Sequence, residues 1–292
     1  MISIIVCSLK PALSEALLEN IDQTAGVPFE VICVDNSGGR FSIFEAYNYG
    51  ASRARYDLLC FMHEDILFHT RDWGKIAADK LGDREVGVIG VAGAVYKSKS
   101  PSPWWISDTV DHRKYQRFNL LQHFTTGVSR QQAGGDGGLW DEALVLDGVW
   151  LCCRKEVWVD TPFDEKGYKG FHFYDLDFSM AVHARGLKNF VSQEILIEHF
   201  SAGNMDRNWI RGAEIFHHKW RKALPTSVEE MPAREVRRLD RSAATNFLRI
   251  LTYNRHRDLR LWLRYWIRMA AQHPFSKETF LTFMRYGRTW LK

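Results

Sequence analysis

The first 96 residues alternate between unbroken apolar runs and helical stretches, and this alternation limits the chain to very few architectures. The runs ISIIVC (2–7), FEVICVDN (29–36), YDLLCFM (56–62) and VGVIGVAGAVY (86–96) read as strands buried on both faces. Between them, ALSEALLENI, SIFEAYNYGASRAR and DWGKIAADKL carry apolar residues at helical spacing. Short links join the two kinds of segment. The pattern predicts βαβ units and an α/β domain on a mainly parallel sheet flanked by helices.

In such sheets ligands gather beyond the carboxyl ends of the strands. Ser8 follows the first run, Asp35 and Asn36 close the second, and His63-Glu64-Asp65 close the third. The last trio interrupts FMHEDILF between apolar flanks, where charged groups cost free energy unless something compensates. Taken alone, it is either a strand end reaching solvent or a set of polar groups converging with Ser8 and Asp35 on one ligand.

Residues 97–142 break the rhythm. KSKSPSPWW and RQQAGGDGG are rich in turn formers, so the segment reads as an insertion with mobile loops. It is either a plain loop or a lid carrying Trp104 and Trp105 over a substrate. No Gly-Lys-Ser/Thr follows the Gly cluster, which excludes a phosphate loop. The alternation resumes with ALVLDGVWLCC, interrupted at Asp147-Gly148. In FHFYDLDFSMAVHARG, Asp175 and Asp177 stand in the first turn of a helix, where carboxylates also serve as caps or dipole partners. His199 ends the short apolar run after Glu194.

With 292 residues, 46% of them hydrophobic, and 11 Trp, the chain is globular rather than disordered. Its longest apolar run has 11 residues, too few to span a bilayer, and MISIIVCSLKP lacks a basic leader. The expectation is a soluble or peripheral protein. Five Cys without a C-x-x-C pair, three of them (Cys7, Cys33 and Cys60) inside apolar runs, suit a reducing cytoplasm.

Charge is unevenly spread. Residues 1–204 carry 20 basic and 27 acidic side chains, whereas residues 205–292 carry 19 and 8. An acidic body with a basic tail places a boundary near residue 205. The tail reads as helical throughout, with breaks at Pro225, Pro232 and Pro274. In RDLRLWLRYWIRMAA, Arg257, Arg260, Arg264 and Arg268 form one stripe, and Leu259, Leu263, Trp266 and Ala270 the opposite one. Such a helix either packs on the body or lies on an anionic membrane surface.

The ordered segments ISIIVCS, FEVICVDNS, AYNYGASRARYDLLCFMHED, LDGVWLCCRKEVW, FDE and YDLDFSMAVHARG resemble a bacterial family 2-type glycosyltransferase of GT-A (Rossmann-like) fold. They are similar in particular to the capsule or surface-polysaccharide subgroup. The resemblance covers roughly residues 1–204, implying a catalytic domain there and a basic helical region over 205–292. It implies that Ser8 and Asp35 hold the nucleoside of a nucleotide-sugar donor, with Asn36 and Asn48 in matching motifs. His63-Glu64-Asp65 occupies the place of an Asp-x-Asp motif, with His63 at the first Asp, so Asp65 would ligate a divalent cation. His199 matches a late His that reaches the metal. Asp147, with Trp104 and Trp105, would border the acceptor. Asp175 matches the second residue of a Glu-Asp pair that supplies the catalytic base; Tyr174 replaces the Glu, and Asp177 is the alternative base.

This chemistry suits the residue types. Mn²⁺ or Mg²⁺ offsets the charge of a leaving diphosphate, and a His ligand favours Mn²⁺. A carboxylate can take the proton of an acceptor hydroxyl, and one base without a nucleophilic partner implies inversion. The implied enzyme is a hexosyltransferase moving sugar from a UDP-sugar to a glycan or lipid-linked acceptor. A sugar-phosphate nucleotidyltransferase is the rival enzyme, but no Gly-rich activation loop stands near the N-terminus. A nucleic-acid binder using the Arg-rich tail is the rival of another class. Its basic residues interleave with Leu and Trp at helical spacing and match no binding motif, so no nucleic-acid partner is expected.

Overall fold

A computed structural model of the chain describes residues 1–106, 110–124, 126–134, 137–201, 203–254, 258–272 and 276–290. The chain opens with β1 (Ile2–Ser8), α1 (Glu15–Thr24), β2 (Phe29–Asp35), α2 (Ile43–Arg53) and β3 (Leu58–Met62). Ser14 caps α1 by accepting from the Leu17 N–H, and Ser42 and Glu45 form a reciprocal capping box on α2. β1 pairs in parallel with β2 and β3, bringing Ser8 level with Asp35 and Val6 level with Met62.

After β4 (Ile66–Phe68) and α3 (Trp73–Leu81) come β5 (Val86–Gly90), β6 (Ala92–Ala94) and β7 (Tyr96–Lys97). The run VGVIGVAGAVY is therefore three strands, each in a different sheet. Glycine permits the close crossing: a Cβ on Gly93 would meet the Val145 carbonyl oxygen at 2.4 Å. The chain continues through β8 (Gln116–Phe124), β9 (Gly127–Ala133), β10 (Trp140–Ala143), β11 (Val145–Leu146), β12 (Trp150–Arg154) and α4 (Lys155–Asp160). Then follow α5 (Tyr174–Ala184), β13 (Lys188–Ser192) and β14 (Ile197–His199).

The main sheet runs β10-β13-β5-β12-β3-β1-β2. Parallel pairing holds in β2-β1-β3 and β5-β13, and β12 is inserted antiparallel between these blocks. Because β2 is the edge strand, Cys33 is exposed there; an apolar run did not guarantee cover on both faces. A second sheet runs β11-β6-β8-β14-β4, with β9 on β8. The expected loop-rich insertion thus contains a hairpin, and β8 lies inside this sheet. Residues 107–109, 125 and 135–136 of that insertion lie outside the described residues.

The tail holds α6 (Arg207–Lys219), β15 (Thr226–Ser227), α7 (Ala233–Tyr253), α8 (Leu259–Gln272) and α9 (Lys277–Tyr286). It is not helical throughout, since β15 follows Pro225 and pairs with β7. Pro232 stands immediately before α7, whereas Arg257 and Pro274 lie outside the described residues. One buried cluster joins body and tail through Phe44, Tyr174, Phe216, Phe247 and Trp262. Helix α8 buries Trp262 and Met269, whereas Leu259, Leu263 and Ile267 are 42%, 36% and 58% exposed. Arg260, Arg264 and Arg268 are exposed as well. The expected separation of Arg from Leu does not hold, because the broad Trp262, Tyr265 and Trp266 rings take the packed side. Among the described residues no helix is long and apolar enough to cross a membrane.

Candidate active site

The carboxyl ends of β1, β2 and β3 lie side by side, and the antiparallel β12 starts at the same edge, with Trp150 level with Met62. The Asp147–Val149 turn is thereby delivered next to His63, whose N–H donates to the Val149 carbonyl at 3.1 Å. Glu64 turns toward β1, where its carboxylate accepts from the Ser8 hydroxyl and, at 3.2 Å, from the Leu9 N–H. Asp35 is exposed beside Ser8, and the Ser37 N–H that it accepts at 2.9 Å holds its carboxyl below the usual range. Asn36 closes the following loop through two 2.9 Å bonds with the Phe41 backbone.

Asn48 stands apart from these strand ends. Its amide donates to the Phe163 carbonyl and the Glu165 carboxylate at 2.8 Å each, and its carbonyl accepts from the Trp158 indole at 3.0 Å. It ties α2 to the segment after α4.

His63, Asp65 and His199 converge, with ligand atoms within 4.8 Å of one another. Strand β14 brings His199 here by pairing antiparallel with β4, and the Phe200 N–H donates to the Asp65 carbonyl at 3.0 Å. His63 Nδ1 and His199 Nε2 face Asp65 Oδ1 at 3.9 and 3.7 Å. The partners behind both rings settle the tautomers. Gln122 Oε1 lies 3.0 Å from His199 Nδ1 and can only accept, so Nδ1 carries a proton and Nε2 is the nitrogen left to face Asp65. Tyr174 donates its one hydroxyl proton to the Gly148 carbonyl at 2.9 Å, so at 2.8 Å it accepts from His63 Nε2, and Nδ1 keeps its lone pair. Burial, then the neighbouring His199, lowers the His63 pKa and keeps the ring neutral. Two imidazoles, each held by an orienting partner on its far nitrogen, and one carboxylate fit a divalent first-row metal.

A cavity of about 650 Å³ opens beside this triad, with His63, His199, Asp147 and Asp175 all in its lining. Trp104 and Trp105 form part of its wall, their rings 5.2 Å apart, and Trp104 leans on Phe118 at 6.2 Å. Phe173, just before α5, has φ 70°, a left-handed conformation unusual for a bulky residue. The turn aims the first residues of α5 into the cavity. Asp175 is buried and accepts from the Gly148 N–H at 2.9 Å. Burial first, and then the Asp147 charge, push its carboxyl up to about 7.

Asp177 points elsewhere. Two residues along a helix is a rotation of about 200°. Its carboxylate is bound by the Tyr168 hydroxyl at 3.0 Å, the Lys219 ammonium at 2.8 Å and the Trp220 indole at 2.8 Å. It does not line the cavity.

The sequence reading overlooked Gln122 and the orienting part of Tyr174. No local signal marks Gln122, since its position opposite His199 follows from the β8–β14 pairing. Tyr174 stood out only as a departure from a family pattern.

A family model described as "Glycosyltransferase like family" matches residues 3–221. Among solved structures, the chain is similar to S. aureus TarS (residues 1–349, in complex with UDP-GlcNAc) at 13% identity, with a TM-score of 0.53. That alignment covers 93% of this chain and 81% of TarS, and the shared fold is GT-A. The mannosyltransferase PcManGT of Pyrobaculum calidifontis, in complex with GDP-Man and Mn²⁺, aligns at 14% identity with a TM-score of 0.48. It covers 96% of this chain and 83% of that one. No curated protein matches the chain.

Proposed function

Because the chain belongs to the glycosyltransferase-like family, we propose that it moves a hexose from a UDP-sugar to a hydroxyl of a glycan or lipid-linked acceptor, with inversion. The observation that carries this reading is that His63 and His199, which converge with Asp65, line one cavity together with Asp147 and Asp175. Donor and acceptor chemistry would meet there.

In this proposal residues 1–204 form the catalytic domain, and 205–292 a helical region packed on it. Ser8, Asp35 and Asn36 hold the nucleoside at the strand ends, and Asn48 supports that region through α2. Asp65, His63 and His199 hold Mn²⁺ or Mg²⁺, which when bound offsets negative charge on the leaving diphosphate. Asp175 accepts the proton of the acceptor hydroxyl. A base whose pKa stands near 7 is matched to that task at neutral pH. Asp147 and the Trp104–Trp105 wall receive the acceptor.

The proposed setting is bacterial capsule or surface-polysaccharide synthesis on the cytoplasmic face of the inner membrane. Its support is the exposed face of α8, where Leu259, Leu263 and Ile267 accompany Arg260, Arg264 and Arg268. A thermal-shift screen of nucleotide sugars with Mn²⁺ tests the donor class, since a bound donor stabilises the fold by mass action. A UDP-sugar should raise the melting temperature. If no nucleotide sugar does so, the reading fails.

A further inference from the structure

Two buried titratable side chains outside the triad, Lys97 and Asp240, hold the segment that walls the cavity. Lys97 is 1% exposed, and among the described residues no carboxylate pairs with it. Its ammonium donates instead to the Ser102 carbonyl at 2.6 Å, the Ser102 hydroxyl at 2.8 Å and the Pro103 carbonyl at 2.7 Å. Asp240 of α7, 2% exposed, accepts from the Tyr96 hydroxyl and the Ser98 hydroxyl at 2.7 Å each, and from the Lys99 N–H at 3.1 Å. Six residues farther along α7, the Asn246 amide donates to the Ile106 carbonyl at 3.3 Å. Residues 96–106 are therefore held at their start, middle and end.

Burial pushes the Lys97 pKa well below its usual value, with the Asp175 charge opposing the fall. Full coordination by oxygens is what makes the buried group tolerable. A flexible lysine fixed in this way stiffens whatever it holds. Here it holds the backbone directly before Trp104, and Pro103, Trp104 and Trp105 line the cavity.

We propose that Lys97 and Asp240 are positioning residues that set the Trp104–Trp105 wall, so that α7 in the tail, together with the catalytic sheet, determines what the cavity accepts. The proposal rests on the reading of this cavity as the acceptor site. It adds that the tail is a structural part of that site. Neither residue touches the metal triad or Asp35, so the donor side stands apart from their influence.

The test uses full-length protein labelled with 5-fluorotryptophan, the Trp104 and Trp105 signals being identified through Trp104→Phe and Trp105→Phe. In Lys97→Met and Asp240→Asn, the fluorine resonances of Trp104 and Trp105 should shift or broaden while the other nine Trp signals stay in place. UDP affinity in the presence of Mn²⁺ should change by less than about twofold. Asp240→Asn, which keeps the shape and removes the charge, decides the matter if Lys97→Met does not fold. Unmoved Trp104 and Trp105 signals would overturn the proposal. So would a change in all Trp signals with loss of UDP binding, which would make these residues supports of the whole fold. Wild-type protein that fails to bind UDP would contradict the functional reading instead, and the fluorine spectra would still score the wall.

Discussion

Tyr174 donates to the Gly148 carbonyl at 2.9 Å and must therefore accept from His63 Nε2 at 2.8 Å. One hydroxyl thus links the turn beside Asp147 to the metal-facing lone pair of His63. Tyr174→Phe removes the acceptor and frees the ring to adopt the other tautomer. We expect Mn²⁺ affinity, measured by calorimetry, to fall by about 10–100-fold, the usual cost of losing such an orienting partner. Unchanged affinity would show that Tyr174 only fills space.

Asp175→Asn should leave UDP binding nearly intact and lower turnover by about 10²–10⁴-fold, as for loss of a general base. Asp177→Asn should act on stability, because it strips the charge that Lys219 and Trp220 surround. If Asp177→Asn abolishes turnover while the fold persists, and Asp175→Asn does not, the assignment of the base is wrong.

The elevated Asp175 carboxyl, about 7, carries a pH dependence. Its base form is the carboxylate, so turnover should rise as pH passes upward through about 7 and then level off. Stability should run the other way. The folded state holds a proton that the unfolded chain releases at lower pH, so stability is lost as pH rises through that value. Melting curves at pH 5 and pH 8 should therefore converge in Asp175→Asn relative to wild type. A pH-independent turnover in wild type would contradict this role.

The outer face of α8 should bind anionic but not zwitterionic liposomes in co-sedimentation. Each basic residue near an anionic surface contributes on the order of 1 kcal/mol. Arg264 also pairs with Glu214, so Arg260 and Arg268 should matter more. Changing Arg257, Arg260, Arg264 and Arg268 to Gln should abolish sedimentation, and Ile267→Ser should weaken what survives at high salt. Protein that ignores anionic liposomes at low salt would make this face merely solvated.

The positions of Ser8 and Asp35 at adjacent strand ends could be read from the sequence because each ends a short apolar run, and β1 and β2 pair locally in parallel. The breakup of residues 86–96 into three strands could not, because it depends on the close packing of Gly93 against β11. Asp175 and Asp177 were inseparable in sequence. Which side of α5 faces the cavity is set by the left-handed Phe173 and by Lys219, far along the chain. Likewise, the stripe of α8 was misjudged because apolar periodicity does not rank Trp above Leu for the packed side.

The central claim is that His63, Asp65 and His199 form a metal-assisted donor site, and Asp65 tests it most directly. Calorimetric titration of UDP into wild-type protein and into Asp65→Ala, each with and without Mn²⁺, isolates its contribution. The account predicts that Mn²⁺ strengthens UDP binding to wild type and has no such effect on Asp65→Ala. Equal, Mn²⁺-enhanced UDP binding by both proteins would contradict it.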